Sequence, residues 1–470
     1  MKKLSLTLSL FFITKLFAQV GIGQSDSNTK WLEIDSEHFK IVFPDYLAGK
    51  AHYTLNLLEH YAPIVSETYN YQPKKLTLVI RPQVNNPNGF VTYAPRRSEW
   101  FHHSSLTPLI GSLEWMQALA VHEYRHVAQL DSMNKDNMQI LYYLFGESFY
   151  SFFTHFIMPN WYFEGDATWA ETVYSDAGRG RSPRFSARLK AQLMSGDVPD
   201  YDTLLATDFT TGQVSWYVYG YLLVTRTVNI YGEKVWNEIV NYAVKQPWNV
   251  YAFYDSFKKA TGKGFDEFYQ ETMLELQKSW SKEGELTPTK NQRYYREIYP
   301  MDYGLSLYRD LNGIWELRRK GKKIRELNIA PSQSRVDVAH KKFLFSSPQP
   351  HYRYGYKSYQ DLFELDLKSN NLKRLTHNKR YYHPQYSPSG IYILATSFND
   401  KDEFELHIIK NKKVIFKIKP KDEVSVYSEG VWFANDQLIL LKISPDGKKS
   451  LVHYYTETRS YILKLTIEEP

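Results

Sequence analysis

Residues 121–127 read Val121-His122-Glu123-Tyr124-Arg125-His126-Val127, an H-E-x-x-H motif. Side chains four residues apart project from one face of a helix, one turn above each other. Two neutral imidazoles held that way supply two of the three protein ligands of a catalytic zinc ion. A glutamate beside the first of them stands where it can take a proton from metal-activated water. The chain has 14 histidines in 470 residues, so chance alone would supply roughly 0.02 such matches. The surroundings suit the geometry. Met116, Ala120, Val121, Tyr124, Val127 and Leu130 recur at three- and four-residue spacings, which predicts a mostly buried helix over 113–130. Ser112 is the expected N-cap, with Glu114 in the first turn.

A third histidine six residues after His126 would mark one class of zinc peptidase, but that position is Ser132. Further on, the chain reads Pro159-Asn160-Trp161-Tyr162-Phe163-Glu164-Gly165-Asp166-Ala167, with Glu171 two turns after Glu164. Asn160 is the expected cap of a helix starting at Trp161. Here the sequence resembles the gluzincins, the zinc metallopeptidases that include thermolysin and aminopeptidase N. Trp161, Glu164, Gly165 and Ala167 match the W-x-x-E-G-x-A pattern of the aminopeptidase branch, in which the glutamate is the third zinc ligand. The 38 positions from His126 to Glu164 exceed that branch's gap, so the match is to the broader peptidase-MA-like group. Glu164 is therefore the expected third ligand. Glu171 is expected behind the ligands or as a helix-face charge, and Asp166 should point about 160° away from Glu164. His155 is expected to be a core histidine.

The resemblance extends to two flanking segments. Aminopeptidase-type gluzincins place a tyrosine three residues before a glycine, where it stabilises the oxyanion of the tetrahedral intermediate. Trp216-Tyr217-Val218-Tyr219-Gly220 resembles that segment with Tyr217 in the catalytic place, and Tyr219 is the alternative; an aromatic core helix is the competing reading. Asn88 to Pro95 reads as the sheet-edge strand that binds extended substrate in these enzymes. Aminopeptidase N carries a glutamate there for the substrate's amine, whereas no acidic residue stands between Gly89 and Arg97. Arg96 and Arg97 are either receptors for a substrate carboxylate or solvated surface charges.

Composition agrees with an exported, multi-domain protein. Met1-Lys2-Lys3 followed by the apolar run Leu4 to Phe17, with Ala18 before Gln19, predicts a signal peptide over 1–18 and export to the periplasm, cell envelope or medium. Losing Lys2, Lys3 and Lys15 would take three from the formal charge of +7, and no basic recognition motif is present, which argues against a nucleic-acid partner. With no cysteine, any zinc must be held by nitrogen and oxygen. The aromatic stretch Ile140 to Met158 carries Glu147 and His155 and lies between residues that must meet at one metal. It is expected to fold as helix and loop around the site, leaving room for peripheral membrane association but not for a transmembrane span.

Strands at Phe39–Phe43 and Leu76–Ile80 flank a predicted helix from about Asp45 to Asn70, giving a small sheet ahead of the zinc helix. Glycines at 196, 232, 262 and 264 punctuate successive helices up to Trp280. The expected organisation is an α+β, zincin-like catalytic domain over 30–280, a polar linker over 281–292, and an all-β region over 293–470. In that last region related phrases centred on Trp315, Phe363, Glu405 and Val452 step by 48, 42 and 47 residues, the length of one four-stranded propeller blade. Phe343-Leu344-Phe345, Tyr392-Ile393-Leu394 and Leu438-Ile439-Leu440 keep the same beat. Leu375-Thr376 and Pro384-Gln385-Tyr386-Ser387-Pro388-Ser389-Gly390 resemble the blades of TolB-like β-propellers. About four blades fit, where such propellers usually have six or more; the alternatives are a truncated chain, an incomplete ring, or a β-sandwich that imitates the period.

The resemblance implies a zinc-dependent metallopeptidase acting on peptides or proteins. His122, His126 and Glu164 would hold one Zn2+ ion, Glu123 would be the general base, and Tyr217 the oxyanion donor. The alternative is a catalytically silent peptidase-like scaffold whose propeller binds peptides, glycans or other envelope proteins.

Overall fold

The computed structural model describes residues 24–82, 84–85, 87–102, 113–205, 214–282, 295–301, 304–310, 313–332, 335–399, 403–422, 425–444 and 448–467. The expected signal peptide, Ser112 and most of the expected linker lie outside these.

The chain first builds a five-stranded sheet from β1 (Trp31–Asp35), β2 (Phe39–Pro44), β3 (Leu76–Arg81), β4 (Gly89–Tyr93) and β5 (Arg96–Phe101), in the order β1-β2-β3-β5-β4. Helix α1 (Ala48–Ser66) makes the crossover that lets β2 and β3 run parallel. Alternation decides the faces. Phe39, Ile41 and Phe43 of β2 and Leu76, Leu78 and Ile80 of β3 are fully or almost fully buried, while the residues between them reach solvent. That apolar face packs on α1 and on α2 (Trp115–Ser132), which is buried nearly all round. Strand β4 is the sheet edge and runs antiparallel to β5. Helix α2 starts later than the spacing predicts. Its cap is Glu114, whose carboxylate accepts from the Gln117 amide and also pairs with Lys50 at 2.7 Å.

Helix α3 (Asp136–Ile157) contains the aromatic stretch, broken at Gly146 by a backbone at φ 79°, ψ −176° that only glycine adopts readily. Helices α4 (Asn160–Val173), α5 (Pro183–Met194), α6 (Tyr201–Leu205), α7 (Trp216–Tyr231), α8 (Val235–Ala243), α9 (Ala252–Thr261) and α10 (Phe265–Ser281) follow. Pro159, not Asn160, caps α4; the Asn160 side chain bonds to His155 Nδ1 at 3.0 Å instead.

From Tyr295 the chain is all-β. Four antiparallel sheets of four strands follow one another in chain order, spanning 295–327, 337–374, 381–418 and 426–467. The phrases read from sequence fall on equivalent strands: Trp315, Phe363, Glu405 and Val452 on each third strand, Phe343, Leu394 and Leu438 on second strands. Adjacent sheets share apolar cores. Trp315 and Leu317 meet Phe343 and Phe345, Leu362 meets Tyr381 and Ala395, and Leu394 and Leu406 meet Leu438 and Leu440. Stacked four-stranded sheets of this kind define a propeller-like architecture. The second sheet also touches the N-terminal sheet. Lys357 pairs with Asp26 at 2.7 Å, Arg81 lies 4.4 Å over the Tyr356 ring, and Asn85 donates its amide to Ser358 Oγ at 3.0 Å.

Candidate metal centre

His122 and His126 stand one turn apart on α2, their ring centroids 4.8 Å from each other. Glu164, on the first turn of α4, faces both. Its Oε2 lies 3.4 Å from His122 Nε2 and 3.5 Å from His126 Nε2, and one donor atom from each of the three residues falls within a 4.8 Å set. Those separations fit a shared cation, because tetrahedral bonds of about 2.1 Å hold two ligand atoms about 3.4 Å apart. Glu164 Oε2 is buried and makes no hydrogen bond of good geometry, its neighbours being those two imidazole nitrogens, a position that a shared cation would complete. The N/N/O donor set suits zinc.

The outer hydrogen bonds fix the histidines. Gln129, one turn beyond His126, donates its amide to Phe163 O at 3.0 Å and to Asp166 Oδ2 at 2.7 Å, so its oxygen faces His126 Nδ1 at 2.9 Å. An oxygen can only accept, so Nδ1 carries the proton and Nε2 keeps its lone pair for the site. Asp166 is fully buried and, like Glu164, meets α2, but at Arg125 and Gln129 rather than at the two histidines. It meets Arg125 through two bonds of 2.6 and 2.8 Å and accepts from Tyr69 at 2.8 Å. Arg125 continues to Val65 O and Thr68 Oγ1. Arg125, inside the motif, thus ties α2 to α1 and α4.

Glu171 stands behind His122, with Oε2 3.6 Å from Nδ1. Arg179 also reaches this histidine, its Nη2 2.9 Å from Nδ1, while its Nε bonds Glu171 Oε1 at 2.6 Å. The two groups favour opposite tautomers. Glu171 accepts a proton held on Nδ1 and so frees Nε2, whereas Arg179 can only donate to Nδ1. No sequence pattern pointed to Arg179. Its one signal is the glycine on either side: a Cβ at Gly178 would lie 2.7 Å from Glu171 O, and one at Gly180 2.4 Å from the Tyr221 ring.

Burial raises the Glu123 carboxyl, only partly offset by the two imidazoles. Burial also raises Glu164, but His126 and His122 outweigh it and hold that carboxyl well below the usual range. At His122, burial and Arg179 oppose protonation, yet Glu164 and Glu171 prevail and bring the pKa to about 9. Glu171 is pushed up by burial but taken down to about 2 by Arg179 and His122.

Tyr217, on the first turn of α7, stacks against His122 with ring centroids 6.4 Å apart and planes at 13°. Arg179 covers its ring at 4.9 Å. Burial, then the Glu164 carboxylate, raises its hydroxyl's pKa and keeps the proton on. Tyr219 points elsewhere and donates to Leu204 O. What brings Tyr217 here is a glycine pair. A Cβ on Gly165 would fall 2.2 Å from the Gly220 carbonyl carbon, and one on Gly220 2.3 Å from Trp161 O. Helices α4 and α7 therefore touch backbone to backbone, one residue after Glu164 and one turn after Tyr217. Gly165→Ala must force the helices apart, and we expect a loss of about 3 kcal/mol in urea unfolding, the upper range for overpacking. A loss below about 0.5 kcal/mol would refute that contact.

Glu123 faces the edge strand. A Cβ on Gly89 would lie 3.0 Å from Glu123 Cγ and 3.1 Å from Oε1. Arg96 is tied to Asp131 at 2.7 and 2.9 Å and to the Lys74 and Lys75 carbonyls, and Arg97 to Glu99 at 2.6 Å. Both arginines are engaged within the fold. His155 lies outside the cluster and, contrary to the expectation of a core position, is exposed, its ring 4.9 Å from Phe163 and its Nδ1 3.0 Å from Asn160 Oδ1.

No family model matches the chain, and no curated protein matches it. Among solved structures it is similar to TolB from Acinetobacter baumannii, at 16% identity over 36% of this chain and 43% of that one, TM-score 0.27. A putative TolB from Agrobacterium tumefaciens matches at 14% identity over 39% and 71%, TM-score 0.30. The β-propeller domain of the Trilobed protease from Pyrococcus furiosus matches at 14% over 37% and 58%, TM-score 0.26. The chain thus spans less than half of the first of these. The propeller-like description rests on its own four sheets.

Proposed function

We propose that this chain is an exported zinc-dependent metallopeptidase of gluzincin type. One observation carries the reading: His122, His126 and Glu164 converge from two helices, with a buried Glu164 oxygen that faces both imidazoles. A zinc ion held by those three residues would supply Lewis-acid polarisation of a peptide carbonyl and a more acidic water. Glu123, beside the ligands and raised by burial, takes the proton at its carboxylate and returns it to the departing amine. Tyr217 donates its hydroxyl proton in a hydrogen bond to the carbonyl oxygen as that atom gains charge. Strand β4, the sheet edge, offers backbone groups to an extended peptide above Glu123. Arg96 and Arg97 are committed to Asp131 and Glu99, and β4 has no acidic residue. That argues against aminopeptidase-type recognition of a substrate amine at this strand.

The test combines metal content with digestion. The purified protein should carry about one zinc per chain and cleave members of a diverse peptide mixture, read by mass spectrometry. Glu164→Ala should lower zinc affinity by at least about 100-fold, since losing one outer hydrogen-bond partner of a ligand already costs 10–100-fold. A wild-type protein that binds no zinc, or binds it and cleaves nothing, overturns the reading. The second outcome favours a scaffold role. The four stacked sheets would then bind peptides, glycans or envelope proteins.

A further inference from the structure

Helix α3 leaves an unusual surface. Ile140, Tyr143, Leu144, Phe145, Phe152 and Phe156 are all exposed, with Tyr143 at 73% and Leu144 at 67%. Together they present on the order of 600 Å² of apolar area, the upper range for the largest patch on a soluble monomer. The shape follows from the break at Gly146. Tyr142 before it and Tyr150 after it meet at 5.8 Å, and both pack on Tyr93 of β4. The inner side is thereby closed, and Tyr143, Leu144 and Phe145 are left outermost at the break. A second apolar group adjoins the start of α3. Asn137 donates to Lys245 O at 2.5 Å, and the loop that follows exposes Trp248, Val250 and Tyr251.

Charge identifies the occupant. Between Asn137 and Ile157 the only acidic residue is Glu147. Lys135 and Lys245 stand at the margin where the two apolar groups join, with Asp136 beside Lys135. Lys259 lies 4.3 Å over the Tyr242 ring, just before that loop. Protruding leucine and phenylalanine, tyrosine and tryptophan beside them, and lysines at the margin match the layering of an anionic membrane interface. Among the described residues no helix is long and apolar enough to cross a membrane, so the contact lies in the plane of one leaflet.

We propose that the broken helix α3 and the Trp248–Tyr251 loop form a peripheral membrane-binding surface, inserting Tyr143, Leu144 and Phe145 into an anionic leaflet with Lys135 and Lys245 at headgroup level. Because α3 joins His126 to Glu164, docking would bring the metal centre close to the bilayer and to membrane-proximal polypeptides. The surface itself does not depend on the metal centre being catalytic.

The full-length protein is sedimented with vesicles of phosphatidylethanolamine and phosphatidylglycerol, and separately with phosphatidylcholine vesicles. The wild type should pellet with the anionic vesicles and several-fold less with the neutral ones. Tyr143→Ser/Leu144→Ser/Phe145→Ser, all at exposed positions, should cut partitioning at least about tenfold with an unchanged melting temperature. Lys135→Ser/Lys245→Ser should weaken binding to anionic vesicles only. A wild type that stays in the supernatant with both lipids overturns the proposal, as does a triple variant that binds like wild type. A concentration-dependent dimer without lipid binding, lost in the triple variant, would overturn it too and reassign the face to a contact between two copies.

Discussion

Glu123→Ala is expected to lower peptide turnover by about 100-fold or more while zinc stays bound, the usual scale for removing a general base. The separation of the two effects comes from geometry. Glu123 is adjacent in sequence to His122 yet outside the converging donor set, which consists of His122, His126 and Glu164. Its carboxylate is buried beside the Gly89 backbone, where extended substrate would lie. Alanine removes the proton acceptor and leaves His126 oriented by Gln129 and His122 in place beside Arg179 and Glu171. Zinc content by mass spectrometry, set beside cleavage rates on the same preparation, reads both. Full activity in the alanine variant would sink the mechanism, and loss of zinc would make Glu123 a ligand instead.

The second large effect is on stability. Asp166→Ala leaves Arg125, 1% exposed, with its charge uncompensated. Breaking a buried pair from one side typically costs about 3–5 kcal/mol. In a unit of about 250 residues that corresponds to a melting temperature lower by roughly 10 °C. The same substitution takes one acceptor from the Gln129 amide, which holds the proton on His126 Nδ1, so zinc affinity should fall as well, by about tenfold. Arg125→Leu/Asp166→Leu should be markedly less costly than Asp166→Ala, because it removes the stranded charge rather than exposing it. A single variant as stable as wild type would show that the pair does not hold α2 against α4.

Much of this was written locally. The H-E-x-x-H spacing places two imidazoles on one helix face whatever surrounds it, and the Glu164-Gly165 segment stood out by its likeness to gluzincins. The second and third strands of each C-terminal sheet were legible as a repeat, because alternation and cross-strand pairing recur with the chain's own period.

Other features left no local trace. Glu114 caps α2 because Lys50, on α1, lies opposite it. Arg179 reaches His122 across 57 positions, and its flanking glycines mark only that the backbone there is crowded. Tyr217 and Tyr219 look alike in sequence; in the fold, where Gly165 meets Gly220, one lies against His122 and the other donates to Leu204 O. The aromatic stretch was recognisable as too polar to span a membrane, but only the break at Gly146 and the packing of Tyr142 and Tyr150 on Tyr93 decide which side chains face out.

The sequence by itself determined which residues are candidates for metal binding and proton transfer, where helices give way to strands, and how long each β repeat is. These follow from side-chain type and from periods of a few residues. Only the tertiary structure decided which donors converge, which carboxylate faces which imidazole nitrogen, and which aromatics remain uncovered. Those depend on contacts between segments tens of residues apart, fixed by close packing and by pairing of buried charges rather than by any spacing along the chain.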